Sequence, residues 1–210
     1  MNFQKIKKDL QSVYDDLAKD WGSRSTDSWG LEYLNKFAEL AKSQGAVKVL
    51  DMGCGSGIQS KLLSENNFQM TGIDLSPLMI KEAKKRLPEA NFIVGDITQM
   101  PFKVNSFDAV LAKDCIFHMP KDLVPGVLNS VYKLLWGKGY FYLSVKKGEG
   151  EKEKEQIKYG KKIRRFIAYF KEKEITNLIK KSGFEIIQCD AWKRIESSDT
   201  VWIEIIAKKN

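Results

Sequence analysis

The stretch VLDMGCGSG, residues 49–57, decides how this chain is read. It continues a short apolar run that begins at Ala46 and meets its first glycine at Gly53, a pattern suited to a buried parallel strand. Gly53, Gly55 and Gly57 then open a helix expected over about 57–66. Glycine lets the backbone turn sharply and approach a ligand with no Cβ in the way. The helix start behind it presents unpaired N–H groups. Counting excludes two common nucleotide loops. A G-x-G-x-x-G fingerprint needs glycine at 58 or 60, where Ile58 and Ser60 stand, and no G-K-[ST] closes a P-loop.

Working outward, FQMTGID (68–74) reads as a second strand ending in Asp74, 17 residues after Gly57. An acid there is placed to accept hydrogen bonds from both hydroxyls of a ribose, because the carboxyl ends of adjacent parallel strands converge on one crevice. SPLMIKEAKKRL (76–87) carries a serine before a proline at the first helical position, a helix start. NFIVGD (91–96), FDAVLAKD (107–114) and GYFYLSVK (139–146) read as strands three to five. DLVPGVLNSVYKLL (122–135) reads as a helix whose first turns Pro125 and Gly126 disturb. KEKEITNLIKKSGF (171–184) is a helix closed by Gly183, and strands follow near 185–193 and 200–208. The short connection ESSD (196–199) suggests that these two form an antiparallel hairpin at one edge.

Upstream, residues 4–20 place Ile6, Leu10, Val13, Tyr14 and Leu17 at helical spacing, and a second helix is expected from about Ser28 to Ala41 through Trp29, Tyr33, Phe37 and Leu40. Strands alternating with helices imply right-handed βαβ units. The expected fold is α/β, with a seven-stranded, mostly parallel sheet, an antiparallel edge hairpin, and helices on both faces. One domain covers 1–210: a helical cap (1–45), a core (46–146), a basic loop or lid (147–170), and a final helix and hairpin (171–210). KKGEGEKEKEQ (146–156) reads as a solvated loop.

The chain has 210 residues and a net charge of +8. No apolar run approaches the roughly 20 residues a membrane span needs. The first residues lack the apolar stretch and cleavage site of a leader, so a cytoplasmic protein with no membrane partner is expected. Three cysteines and one histidine, with no C-x-x-C pair, supply neither a disulfide framework nor a zinc site, so no metal is expected. The charge is uneven: residues 146–173 hold 11 basic and 5 acidic residues. Arginine is scarce, yet Arg164 and Arg165 stand together there.

Four ordered segments, VLDMGCGSG, GIDLSPLMIKEAKKR, VGDITQMPF and FDAVLAKDCIFHMP, resemble the class I S-adenosylmethionine-dependent methyltransferases, whose fold is Rossmann-like. The resemblance covers residues 47–146. It implies S-adenosylmethionine as cofactor and S-adenosylhomocysteine as product. It implies that Gly53, Cys54, Gly55 and Gly57 approach the methionine part, with Asp51 behind the loop. Asp74 would hold the ribose, Leu75 pack near the adenine, and Asp96 and the Ile97 backbone meet the adenine edge. Lys113 would lie near the methionine amino group with Asp114 assisting. The family pattern Y-D-x-x-A matches Tyr14, Asp15 and Ala18, which implies that the first helix caps the cofactor. LLWGKG (134–139) departs from the family's usual Pro-Gly-Gly-like turn; cofactor binding is expected to survive the change.

Plainer readings stand beside these. Asp74 and Asp96 also suit ordinary helix N-caps, and Tyr14 also suits a core-facing aromatic. For chemistry, methyl transfer needs orientation and exclusion of water, and a base only where the acceptor is protonated. His118, the one histidine, and Asp114 are the candidate catalytic residues. KYGKKIRRFIAYF (158–170) admits three readings: a solvated lysine-rich face, a lid whose Arg165 or Arg164 clamps a carboxylate or phosphate, or a nucleic-acid surface. Similarity to the tails of small bacterial methyltransferases of this class implies Arg165 and Tyr169 as acceptor-pocket residues. The expected acceptor is a small molecule. RNA methylation and non-catalytic cofactor binding are the alternatives.

Overall fold

The computed structural model describes residues 2–23, 31–193 and 200–210. In chain order the elements are α1 (Phe3–Gly22), α2 (Leu31–Ser43), β1 (Lys48–Met52), α3 (Ile58–Ser64), β2 (Gln69–Asp74), α4 (Pro77–Arg86), β3 (Asn91–Val94) and β4 (Phe107–Ala112). There follow α5 (Val124–Leu134), β5 (Leu135–Lys146), β6 (Glu151–Lys158), β7 (Lys161–Ala168), α6 (Glu172–Lys181), β8 (Phe184–Lys193) and β9 (Val201–Lys209). A short 3₁₀ turn, Ile116–His118, lies between β4 and α5.

Seven strands form one sheet in the order β3-β2-β1-β4-β5-β9-β8. The first five run parallel, and β9 pairs antiparallel with both β5 and β8. Period-2 alternation feeds both faces. Leu50, Val110, Phe141 and Leu143 pack with Val127 and Val131 of α5 and Ile175 and Ile179 of α6. On the other face, Val49, Leu111 and Tyr142 pack with Phe37 of α2, Leu63 of α3 and Ala83 of α4. Burial on both faces is what the continuous apolar strands require. Among the described residues, no helix is long and apolar enough to cross a membrane.

Local chemistry sets the helix starts. Ser76 caps α4 by accepting from the Met79 N–H at 3.0 Å, and Pro77 occupies the first turn. Asp15 of α1 accepts from the Ser76 hydroxyl at 2.5 Å and the Leu78 N–H at 3.1 Å. The acid of the Y-D-x-x-A pattern therefore ties α1 to the start of α4.

Two expectations need correction. Residues 147–170 are mostly an antiparallel hairpin, β6–β7, in its own two-stranded sheet, so the stretch read as a solvated loop is largely a strand. Its glutamates and lysines disfavour strand formation alone, but β7 supplies eight paired partners and buries Ile163, Phe166 and Ile167 against the body. The fifth strand starts at Leu135 rather than 139, with a register shift between Phe107 and Ala109. The second helix is described from Leu31, and its expected start at Ser28 and Trp29, like the 196–199 connection, lies outside the described residues.

Candidate cofactor and acceptor site

The carboxyl ends of β1, β2 and β4 meet at one cavity, whose floor is the glycine turn. The Gly53 and Cys54 N–H groups both donate to the Ile73 carbonyl, at 2.8 and 3.2 Å, folding the turn onto β2. Gly53 has φ +65, and a Cβ there would sit 2.4 Å from the Cys115 Cβ. Gly55 has φ +51, but a Cβ there would meet nothing within 4 Å, because it faces the cavity. Only glycine serves both needs, a left-handed backbone and a bare approach. Gly57, expected at the ligand, faces α4 instead, 3.1 Å from the Ala83 Cβ at the point where its own Cβ would stand.

Asp74 closes β2. One carboxylate oxygen accepts from the Gly55 N–H at 2.9 Å and the other from the Ser76 N–H at 2.9 Å. Burial pushes its pKa above the usual carboxylate range, and those N–H bonds pull against the shift. It does not cap α4, since Ser76 does. Asp96, after β3, accepts from the Thr98 N–H and hydroxyl at 2.8 and 2.7 Å and from the Lys7 ammonium at 2.7 Å. Burial pushes it upward, but Lys7 and Thr98 outweigh this and hold it below the ordinary value. Leu75 and Ile97 line the same end.

Asp51 lies beneath the turn, accepting from the Ser60 hydroxyl at 2.7 Å. Burial raises its pKa to about 7, against the Ser60 bond. Cys54 and Cys115 line the cavity as thiols whose pKa burial drives well up. Lys113 and Asp114 form the far wall, 3.9 Å apart. Asp114 adopts a left-handed backbone, φ +61, and its carboxylate accepts from the Ser144 hydroxyl at 2.5 Å. A non-glycine residue is held there only when its surroundings over-determine it.

The roof is α1. Phe3, Lys7, Leu10 and Tyr14 all face the cavity, one helical turn after another. Periodicity in the sequence marked Leu10 and Tyr14 as an inward face, but nothing local indicated what that face covers. Lys7 escaped notice because its partner, Asp96, is 89 positions away.

At the cavity's inner end Tyr14, His118 and Arg165 form a chain. The Tyr14 oxygen lies 2.8 Å from Nε2 of His118 and receives a bond from Arg165 at 2.9 Å. His118 Nδ1 lies 2.9 Å from the Phe166 carbonyl. A carbonyl can only accept, so Nδ1 carries the proton and Nε2 accepts from Tyr14. Burial, then the Arg165 charge, depresses the His118 pKa well below its usual value. Burial raises that of Tyr14, against the pull of Arg165. Arg165 and Tyr169 lie outside the cavity lining: Arg165 touches it through Tyr14, while Tyr169 sits at the hairpin base beside Gly148.

Residues 50–143 match the family model described as "Methyltransferase domain". The demethylmenaquinone methyltransferase of Beutenbergia cavernae is 32% identical over 105 residues, 49% of this chain and 44% of that protein. An 18S rRNA (guanine-N(7))-methyltransferase of Bos taurus is 43% identical over 65 residues, 30% of this chain and 23% of that protein. The matched part of the chain thus spans less than half the length of either relative. In overall fold the chain resembles the 1,6-didemethyltoxoflavin-N1-methyltransferase of Burkholderia thailandensis, solved with bound 1,6-didemethyltoxoflavin and S-adenosylhomocysteine. The TM-score is 0.73 at 19% identity, covering 100% of this chain and 91% of that one. With the glycine turn, Asp74 and Asp96 converging at the carboxyl ends of a 3-2-1-4-5 sheet, the chain has the fold of the class I S-adenosylmethionine-dependent methyltransferases, and residues 50–143, a little under half of it, match their methyltransferase domain.

Proposed function

We propose that the protein transfers a methyl group from S-adenosylmethionine to a small-molecule acceptor, in the cytoplasm. The carrying observation is that Gly55, Asp74, Asp96 and Asp114 line one cavity roofed by α1. The cavity suits the cofactor: it has a bare backbone approach at Gly55, a half-buried carboxylate at each of two strand ends, and apolar walls from Leu75, Ile97 and Leu10. When bound, S-adenosylmethionine supplies a methyl group on a sulfonium, already activated for in-line displacement.

The chain's own residues bind, orient and exclude water. Gly53 and Gly55 shape the turn, with Cys54 between them and Asp51 beneath. Asp74 takes the ribose hydroxyls through its remaining lone pairs, and Asp96 and Ile97 flank the base. Asp114 is the carboxylate at the wall that can take an acceptor's proton. His118 holds the Tyr14 hydroxyl and acts as a positioning residue. Three free cysteines, one of them buried, suit a reducing compartment.

A small acceptor is favoured over RNA by two features. The cavity lies under α1, and the outward basic residues of the hairpin are committed, Arg164 to Glu153 and Lys162 to Glu155. Committed lysines offer little to a phosphate backbone. The test is calorimetric titration with S-adenosylhomocysteine, using Asp74→Ala as control. Micromolar binding that the substitution abolishes supports the reading; no binding by the folded wild-type chain overturns it. RNA retention that falls steeply with salt would instead favour the RNA reading.

A further inference from the structure

Strand β6 reads E-K-E-K-E-Q-I-K, and a strand sends alternate residues to opposite faces. Pairing with β7 sorts these charges by parity. Glu153 and Glu155 lie on the outer face, ion-paired with Arg164 and Lys162. Lys154 and Gln156 lie on the inner face, with Lys154 directly opposite Arg165. The inner face of β6 therefore carries no acid.

Arg165 is 8% exposed. Its two terminal nitrogens donate to neutral groups, Tyr14 at 2.9 Å and Gln156 at 2.6 Å, and its Nε has no partner among the described residues. Lys146, where β5 ends beneath the hairpin, is 6% exposed. Its ammonium lies 5.0 Å from the Phe117 ring centre and 5.2 Å from that of Trp202. Among the described residues neither cation forms an ion pair. Burying a cation without a carboxylate costs several kcal/mol, and two together cost more. Burial, then the charges of Arg165 and Lys154, lower the Lys146 pKa to about 7, while Asp114 opposes this.

The two cations are linked by one wall. Arg165 bonds Tyr14, Tyr14 bonds His118, the His118 and Phe117 rings lie 4.3 Å apart, and Lys146 sits over Phe117. Tyr14 and His118 also line the cofactor cavity. We propose that the inner face of the β6–β7 hairpin, beside Tyr14, carries an anion subsite, in which Arg165 and Lys146, with Lys154 at its edge, hold a carboxylate or phosphate of the acceptor. Naming the ligand as the acceptor rests on the methyltransferase reading; the anion site itself does not. Guanidinium offers the forked geometry for either group, and the ammonium adds a compact charge.

The test titrates the full chain, preloaded with S-adenosylhomocysteine, with malonate and separately with inorganic phosphate, followed by calorimetry and by Trp fluorescence. Expected is saturable binding of at least one of these anions, with preference for malonate assigning a carboxylate and preference for phosphate a phosphoryl group. Arg165→Gln and Lys146→Met should each weaken it by roughly tenfold or more, about the worth of one charge-assisted bond. Arg165→Lys should fall between, and the outer-face Lys162→Met should change nothing. S-adenosylhomocysteine affinity reports folding in every variant. Cofactor bound with neither anion binding, or anion binding indifferent to both inner substitutions, overturns the subsite. Anion binding by a chain that takes no S-adenosylhomocysteine supports the subsite while overturning the methyltransferase reading.

Discussion

Tyr14 and His118, 104 positions apart, share one hydrogen bond of 2.8 Å, and the Phe166 carbonyl at the other ring nitrogen fixes its direction from phenol to imidazole. His118 is therefore held as the neutral Nδ1–H tautomer. Burial first and Arg165 second keep its folded pKa well below 6.5. The unfolded chain binds a proton below about 6.5 and the native chain does not, so this residue withdraws stability as pH falls below that value. As the sole histidine, its ¹⁵N resonances should show an unchanging neutral tautomer from pH 8 down to acid unfolding. An imidazolium signal growing in near pH 6.5 would refute this arrangement.

Tyr14→Phe removes the donor to Nε2 and one acceptor of Arg165 while keeping the ring. Leaving buried polar atoms unpaired costs about 1–3 kcal/mol. Denaturant unfolding should show a loss in that range, and His118 should become titratable at higher pH than in the parent. Unchanged stability together with unchanged histidine resonances would mean the hydrogen-bond chain is not formed in solution.

Gly53→Ala and Gly55→Ala should fail differently, although they are two residues apart. At Gly53 the added methyl meets Cys115 at 2.4 Å, so the fold is hit directly. At Gly55 it meets no atom of the described residues within 4 Å, only the cavity. The second variant should lose about 1 kcal/mol from the left-handed backbone, unfold otherwise normally, and bind S-adenosylhomocysteine far more weakly. The first should lose several times that stability. Equal unfolding midpoints for the two would contradict the geometry.

Asp51 supplies a pH signature. Its folded pKa of about 7, raised chiefly by burial, exceeds the unfolded value near 3.8. Between those limits the native chain holds the proton more tightly, so the residue's support is complete below pH 4 and lost as pH rises through 7. Asp51→Asn keeps an acceptor for Ser60 and has no charge to bury. Its melting temperature should gain on the parent progressively from pH 5 to pH 8; a difference that stays flat across that range counts against the buried carboxyl.

How much of this could be read beforehand depended on distance along the chain. The glycine turn, Asp74 and Asp96 were legible because their spacing within about fifty residues sets a strand end and its neighbour. Ser76 and Pro77 marked α4 for the same reason. Lys7 was not legible, since its meaning comes from Asp96 across the fold. The hairpin was missed because residues 151–156 alternate in charge sign and not in hydrophobicity, so the usual period-2 signal was absent. The E-K-E-K alternation was itself the available clue. Gly57 looked equivalent to Gly53 and Gly55 until Ala83 came to lie against it.

The parity of β6 carries a consequence for how this segment can change. Sliding β6 by one residue along β7 would turn its side chains over, bringing Glu153 and Glu155 to the face of Arg165 and putting Lys154 into water. The field beside Tyr14 would change sign without a single substitution. Exchanges that keep the count of residues between Glu151 and Ala168, such as Lys for Arg, preserve the sorting of charge. An insertion or deletion of one residue there does not, so this segment is constrained in length more tightly than in composition.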